Sequence, residues 1–113
     1  MYRIFPNSDL LLPAVTERPS SMSGVWRDGW VEKPTFGEEG YGIEVRTPTR
    51  FQTDTRWDSP YIFQQYCEPA TFDNNFMVAG VWMVGDDAVA LGVKESGVPV
   101  SDYAQRFAPH IVD

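Results

Sequence analysis

The sequence predicts an α+β fold, mainly an antiparallel sheet with short helical decoration. Two observations carry this expectation. Apolar and polar side chains alternate over short stretches such as Ile43 to Arg46, the pattern of a half-buried strand whose residues point to opposite faces in turn. Nine prolines and nine glycines punctuate the chain throughout, so no window of about 12 residues offers an uninterrupted helical stripe. With 113 residues, 42% of them hydrophobic, the chain has the length and composition of one globular domain over 1–113.

The elements follow in order. Residues 1–24 contain Pro6, Pro13 and Pro19 and read as an extended arm with one helical turn at most, leaving 25–113 as the body of the domain. Aromatic and β-branched residues from Val25 to Val31 mark a strand that continues through Glu32 and Lys33 until Pro34 ends or edges it. A glycine-rich loop, Gly37-Glu38-Glu39-Gly40-Tyr41-Gly42, leads to the strand Ile43 to Arg46, and Thr47 to Asp58 is polar enough to be loop. Tyr61 to Cys67 is a strand, and Glu68 to Asn75 an irregular stretch where the chain turns. Phe76 to Val84 and Ala88 to Val93 form a hairpin about Gly85-Asp86-Asp87, since Gly and Asp tolerate the positive φ of tight turns. Their near-continuous hydrophobicity implies a sheet covered on at least one face. In the tail, Ser101 caps a short turn from Asp102 to Phe107, which Pro109 limits.

Composition excludes several functions. Sixteen Asp plus Glu against nine Lys plus Arg give a formal charge of −7, the wrong sign for a nucleic-acid binder that relies on clustered cations. No stretch approaches the roughly 20 apolar residues of a membrane helix, and the amino terminus, broken by Pro6, Asn7, Ser8 and Asp9, is a poor signal peptide. A cytoplasmic protein is expected. Cys67 stands alone, so there is no internal disulfide and no cysteine cluster for zinc.

Three places can carry chemistry. Lys33 stands at a strand end, four residues before the first glycine of a turn in which Gly37, Gly40 and Gly42 let backbone amides approach an anion. The same pattern also fits an ordinary hairpin with an exposed lysine, and no Gly-Lys-Ser or Gly-Lys-Thr follows to make it a helix-opening phosphate loop. In Tyr61-Ile62-Phe63-Gln64-Gln65-Tyr66, alternation turns Gln64 and Tyr66 to one face and Phe63, Gln65 and Cys67 to the other, so either glutamine could read a purine or simply meet water. Lys94-Glu95-Ser96 brings abrupt charge to the end of an apolar run, where sites form and where strands also just emerge into solvent. His110 has no carboxylate pair or nucleophile beside it in sequence. Asp73, Asp86 and Asp87 read as solvated turn residues, so no metal site is assigned.

Taken together, five ordered blocks, LLPAV, VEKPTFGEEG, SPYIFQQY, FMVAGVWMVGDDAVALGVKES and QRFAPHIV, resemble the carboxy-terminal part of the glutathionylspermidine synthase family, amide-forming ligases of ATP-grasp type. The resemblance runs from about Phe5 to Val112 and implies one lobe of an ATP-grasp fold. It implies that Lys33 contacts ATP phosphates, that Gly37 to Gly40 is the loop closing over them, and that Gln64, Gln65 and Tyr66 lie along the strand beside the adenine. It places the Trp82 to Val93 hairpin under the nucleotide and Lys94, followed by Glu95, where the family has a catalytic arginine before its glutamate.

The chain departs from that pattern in three ways. The family's G-R-E-G loop is here Gly37-Glu38-Glu39-Gly40, with an anion in place of a cation. Lys94 offers a point charge where arginine offers a bidentate fork. The family's magnesium-binding carboxylates and the pocket for the thiol peptide lie upstream of this part. The sequence therefore reads first as a truncated ligase-like domain, a binding or assembly module that keeps the fold without independent catalysis and works with a protein partner or by self-assembly. One alternative is the nucleotide-binding half of a split ATP-dependent carboxylate–amine ligase, with magnesium held by ligands from another chain. The other is a small structural component of a larger particle such as a virion.

Overall fold

In the computed structural model, which describes residues 8–52, 55–100 and 104–111, the chain divides after Cys67 into two units. The first holds five strands, β1 (Ala14–Val15), β2 (Trp30–Pro34), β3 (Glu44–Arg46), β4 (Phe51–Gln52) and β5 (Tyr61–Gln65). They pair antiparallel in the order β1-β5-β2-β3-β4. The centre is the β2–β5 pair, in register from Trp30 opposite Gln65 to Pro34 opposite Tyr61. Alternation along these two strands turns Trp30, Tyr61 and Phe63 inward, where they form a buried cluster with Trp26 packed against it. Glu32 lies on that same inward face and is wholly buried.

Unit one differs from expectation at its edges. The strand expected from Val25 begins only at Trp30, because Gly24–Trp26 forms a 3-10 turn and Gly29 takes φ +104. At Gly29 a Cβ would lie 1.9 Å from the carbonyl oxygen of Arg46, so the chain crosses β3 too closely for any side chain. Part of the expected arm is strand: Ala14 and Val15 pair with Gln64 and Phe63. Part of the expected 47–58 loop is strand as well. Arg50 donates its backbone amide to Thr47 Oγ1 at 2.9 Å, closing a turn that brings Phe51 back beside Arg46. The strand Tyr61 to Cys67 stops at Gln65.

The second unit is a four-stranded antiparallel sheet in chain order, β6 (Thr71–Phe72), β7 (Asn75–Val84), β8 (Asp87–Ser96) and β9 (Arg106–Phe107). The stretch expected to be irregular, 68–75, contains β6 and a two-residue turn in which Asp73 and Asn74 take φ +48 and +65, the conformation that a tight hairpin needs. The expected β7–β8 hairpin is present, turning at Gly85 with φ +61, and a register shift falls between Trp82 and Met83. Two expectations fail here. Arg106 and Phe107 extend a strand against Glu95 and Lys94 instead of ending a helical turn; Ser101, Asp102 and Tyr103 lie outside the described residues. Cross-strand contacts explain the choice, since Arg106 Nη2 meets Glu95 Oε1 at 2.9 Å and Lys94 Nζ stands 5.0 Å from the centre of the Phe107 ring. Among the described residues the apolar hairpin is also not buried along its outer half: Val81, Trp82, Met83, Val84 and Val89 are all exposed, Trp82 at 71%.

The α+β expectation therefore reduces to its sheet component. Among the described residues the architecture is antiparallel sheet with a 3-10 turn and no α-helix.

Candidate functional site

The site grows from the β2–β5 pairing. Lys33 sits opposite Ile62, and Gln64 two residues further along β5 shares its face, so the two side chains meet. Lys33 Nζ donates to Gln64 Oε1 at 2.7 Å. Among the described residues no carboxylate lies within ion-pair distance of Lys33, so the amide orients the ammonium without neutralising it. Partial burial pushes the Lys33 pKa below its ordinary value, because losing water disfavours the charged form.

The glycine loop shares a cleft with this lysine. Lys33, Pro34, Gly37, Glu38, Glu39, Gly40, Tyr41 and Ile43 line a cleft of about 170 Å³. Two successive turns shape it, with the Tyr41 amide bonded to the Glu38 carbonyl at 3.0 Å and the Ile43 amide to the Gly40 carbonyl at 3.3 Å. Glu39, Gly40 and Gly42 all take positive φ. Such a loop can turn amide donors toward a small oxyanion, and Lys33 supplies the charge. Glu38 and Glu39 line the same cleft and oppose a bare anion. The cleft therefore sets one ammonium and two carboxylates around a glycine-rich turn.

The remaining candidates fall differently. Alternation along β5 turns Gln65 to the Phe63 face, away from Lys33. Tyr66 lies just beyond the strand, where its hydroxyl accepts from Arg50 Nη1 at 3.1 Å and its amide bonds the Gly29 carbonyl. Lys94 belongs to the second unit and packs over Phe107. Among the described residues no group of three or more His, Cys, Asp or Glu side chains could hold a metal ion.

The opposite face of β2 carries a feature that the sequence reading missed. Glu32 accepts hydrogen bonds from Trp30 Nε1 at 3.0 Å, Arg46 Nε at 2.8 Å, Arg18 Nη2 at 2.6 Å and Arg56 Nη1 at 3.0 Å. Glu44 takes a second bond from each of Arg46 and Arg56. Burial alone would raise the Glu32 pKa, but the bonds from Trp30, Arg56 and Arg18 outweigh it and hold the carboxyl below the usual range. The available signal was Glu32 alternating in phase with Trp30 on an inward face. Next to this cluster, Tyr61 reaches the loop: its hydroxyl donates to the Gly42 carbonyl at 3.1 Å and accepts from the Trp57 amide at 3.0 Å.

A lysine oriented by a neighbouring-strand amide, sharing a cleft with a glycine loop, defines the class of site that the fold builds. Comparison with known proteins narrows this: residues 1–113 match the glutathionylspermidine synthase preATP-grasp family, and the chain belongs to it. It is also similar to a protein of Haemophilus influenzae whose name assigns it as an acid–amine ligase, with 31% identity over 118 aligned residues covering 94% of this chain. The chain spans 29% of that relative's length.

Proposed function

We propose that the chain is the nucleotide-facing, carboxy-terminal part of an ATP-dependent acid–amine ligase, forming one lobe of an ATP-grasp-like domain. In this reading the Lys33 ammonium binds ATP phosphates, Gly37 to Gly40 fold over them, and Gln64 holds the lysine in place. Tyr66, beyond the end of β5, lies toward the base, and the whole ligase would transfer the γ-phosphoryl group of ATP to a carboxylate, releasing ADP, before an amine displaces phosphate from the acyl phosphate. Magnesium ligands and the acid and amine pockets come from outside these 113 residues, so the chain is a ligase component and not a self-sufficient catalyst. The observation that carries the reading is the 2.7 Å Lys33–Gln64 bond at the cleft that Lys33 shares with the glycine turn. A structural lysine would more simply pair with a carboxylate, whereas a neutral partner leaves the charge available for a ligand.

Isothermal titration of the chain with ATP and magnesium tests this. The expected result is binding that Lys33→Ala removes; no heat at millimolar nucleotide, or binding indifferent to Lys33, would overturn it.

One observation favours a second reading, a module that works chiefly through assembly with a protein partner or with itself. The β7–β8 hairpin exposes Val81, Trp82, Met83, Val84 and Val89 together, more apolar surface in one element than a solitary soluble sheet usually leaves bare. Sedimentation velocity over a range of concentrations tests it. Association that Trp82→Ser and Val81→Lys abolish would support the reading, and a monomer at every concentration would count against self-assembly.

A further inference from the structure

We propose that Tyr61 is a positioning residue that ties the exit of the glycine loop to the strand pairing at its entry, and so sets how the loop sits in the cleft it shares with Lys33. Its assignment to a ligand-binding task rests on the nucleotide reading above; its hold on the loop does not.

The geometry comes from one residue occupying two places at once. At the loop's entry, Tyr61 is the β5 residue paired with Pro34, the last residue of β2. Gly37 packs onto that proline so closely that a Cβ would lie 2.8 Å from Pro34 Cγ. At the loop's exit, the Tyr61 hydroxyl donates to the Gly42 carbonyl at 3.1 Å. The hydroxyl also accepts from the Trp57 amide at 3.0 Å, so its donor and one acceptor position are both committed. Gly42, at φ +71, is the residue that permits this seat: a Cβ there would meet Trp57 Cδ1 at 3.2 Å, Trp57 Cγ at 3.3 Å and Tyr61 Oη at 3.3 Å. Tyr41, next to it, stacks on Trp57 with ring centroids 6.5 Å apart.

The tyrosine is itself immobilised. The residue is 8% exposed, and the Arg56 guanidinium lies 3.8 Å from the ring centroid. Arg56 is in turn bonded to Glu32 and Glu44 at 3.0 Å each. Arg56, held by Glu32 of β2 and Glu44 of β3, thus holds the ring, and the ring's hydroxyl holds the loop. A hydroxyl whose donor and acceptor functions both serve the loop and its flanking segment is more than core filling, because a phenylalanine would fill the same space.

Tyr61→Phe in the full chain tests this by amide hydrogen exchange. Losing the buried bond to the Gly42 carbonyl and the part-buried bond from the Trp57 amide should speed exchange at the Tyr41 and Ile43 amides about tenfold or more, while the amides of β2 and β5 keep their rates. ATP affinity should fall by a similar factor, and Gly42→Ala should reproduce both effects from the other partner. Unchanged loop exchange in Tyr61→Phe, or exchange raised equally through β2 and β5, would overturn the positioning role. A looser loop in a chain whose wild type binds no ATP would uphold the positioning and overturn the nucleotide reading. A looser loop with unchanged ATP affinity would overturn the link between the two.

Discussion

Glu32 and Lys33 are consecutive residues of β2 that point to opposite faces, one wholly buried among arginines and the other partly buried beside a cleft. The same strand therefore carries, back to back, a charge committed to ion pairs and one that no described carboxylate pairs. The first anchors Arg18, Arg46 and Arg56; the second is aimed by Gln64.

Replacing Glu32 by glutamine keeps its shape and removes its charge from three guanidinium partners. Two of those arginines are about half exposed, so water recovers part of the loss, and Glu44 still holds Arg46 and Arg56. The expected destabilisation is about 2–4 kcal/mol, read as a lower urea midpoint at unchanged slope. Glu44→Gln, which removes two bonds instead of three ion pairs, should cost less.

The same carboxylate makes stability depend on acid. Its folded pKa lies below the unfolded value of about 4.3, so its contribution is complete above that value and is lost as pH falls through the folded pKa. Thermal midpoints measured from pH 7 down to pH 3 should fall more steeply for the wild type than for Glu32→Gln. Parallel curves would show that Glu32 titrates alike in both states.

Gln64 should matter to a ligand through Lys33 alone. Gln64→Ala removes the bond that aims the ammonium but keeps the charge, so affinity for a phosphate ligand should drop less than in Lys33→Ala, where a charge-assisted contact worth about 1.5–3 kcal/mol disappears. In the double variant Gln64→Ala should add nothing, which a titration of all three proteins would read directly.

Gly29→Ala should be among the most damaging single substitutions. It forces a Cβ onto the Arg46 carbonyl at a φ of +104, and both faults fall where β2 begins. A loss of at least about 3 kcal/mol, or failure to fold, is expected by urea denaturation.

The sheet-forming segments were legible because their signals are local. Ile43 to Arg46 alternates, and Gly85 with its aspartates announces a hairpin, so β3 and the β7–β8 pair stand close to where the sequence puts them. Short edge strands were not legible. Ala14–Val15 and Phe51–Gln52 exist because β5 and β3 offer them partners, and two residues carry no period of their own. Arg106–Phe107 failed for the same reason: a capped turn and a strand compete on local sequence, and Glu95 with Lys94 decide. At the site, Lys33 and the glycine loop could be singled out by spacing. The Gln64 bond requires the β2–β5 register, and the roles of Glu32 and Tyr61 require knowing which arginines and which carbonyl lie across from them, information held by pairing and not by neighbours in sequence.

Protection of Lys33 tests the central claim most directly. The chain contains two lysines, Lys33 and Lys94, so acylation by a limiting amine reagent can be read site by site by mass spectrometry. With ATP and magnesium present, modification of Lys33 should fall severalfold, and inorganic phosphate should give a smaller effect in the same direction. Equal modification of Lys33 with and without nucleotide, at concentrations up to several millimolar, would contradict the assignment of this cleft as the phosphate site.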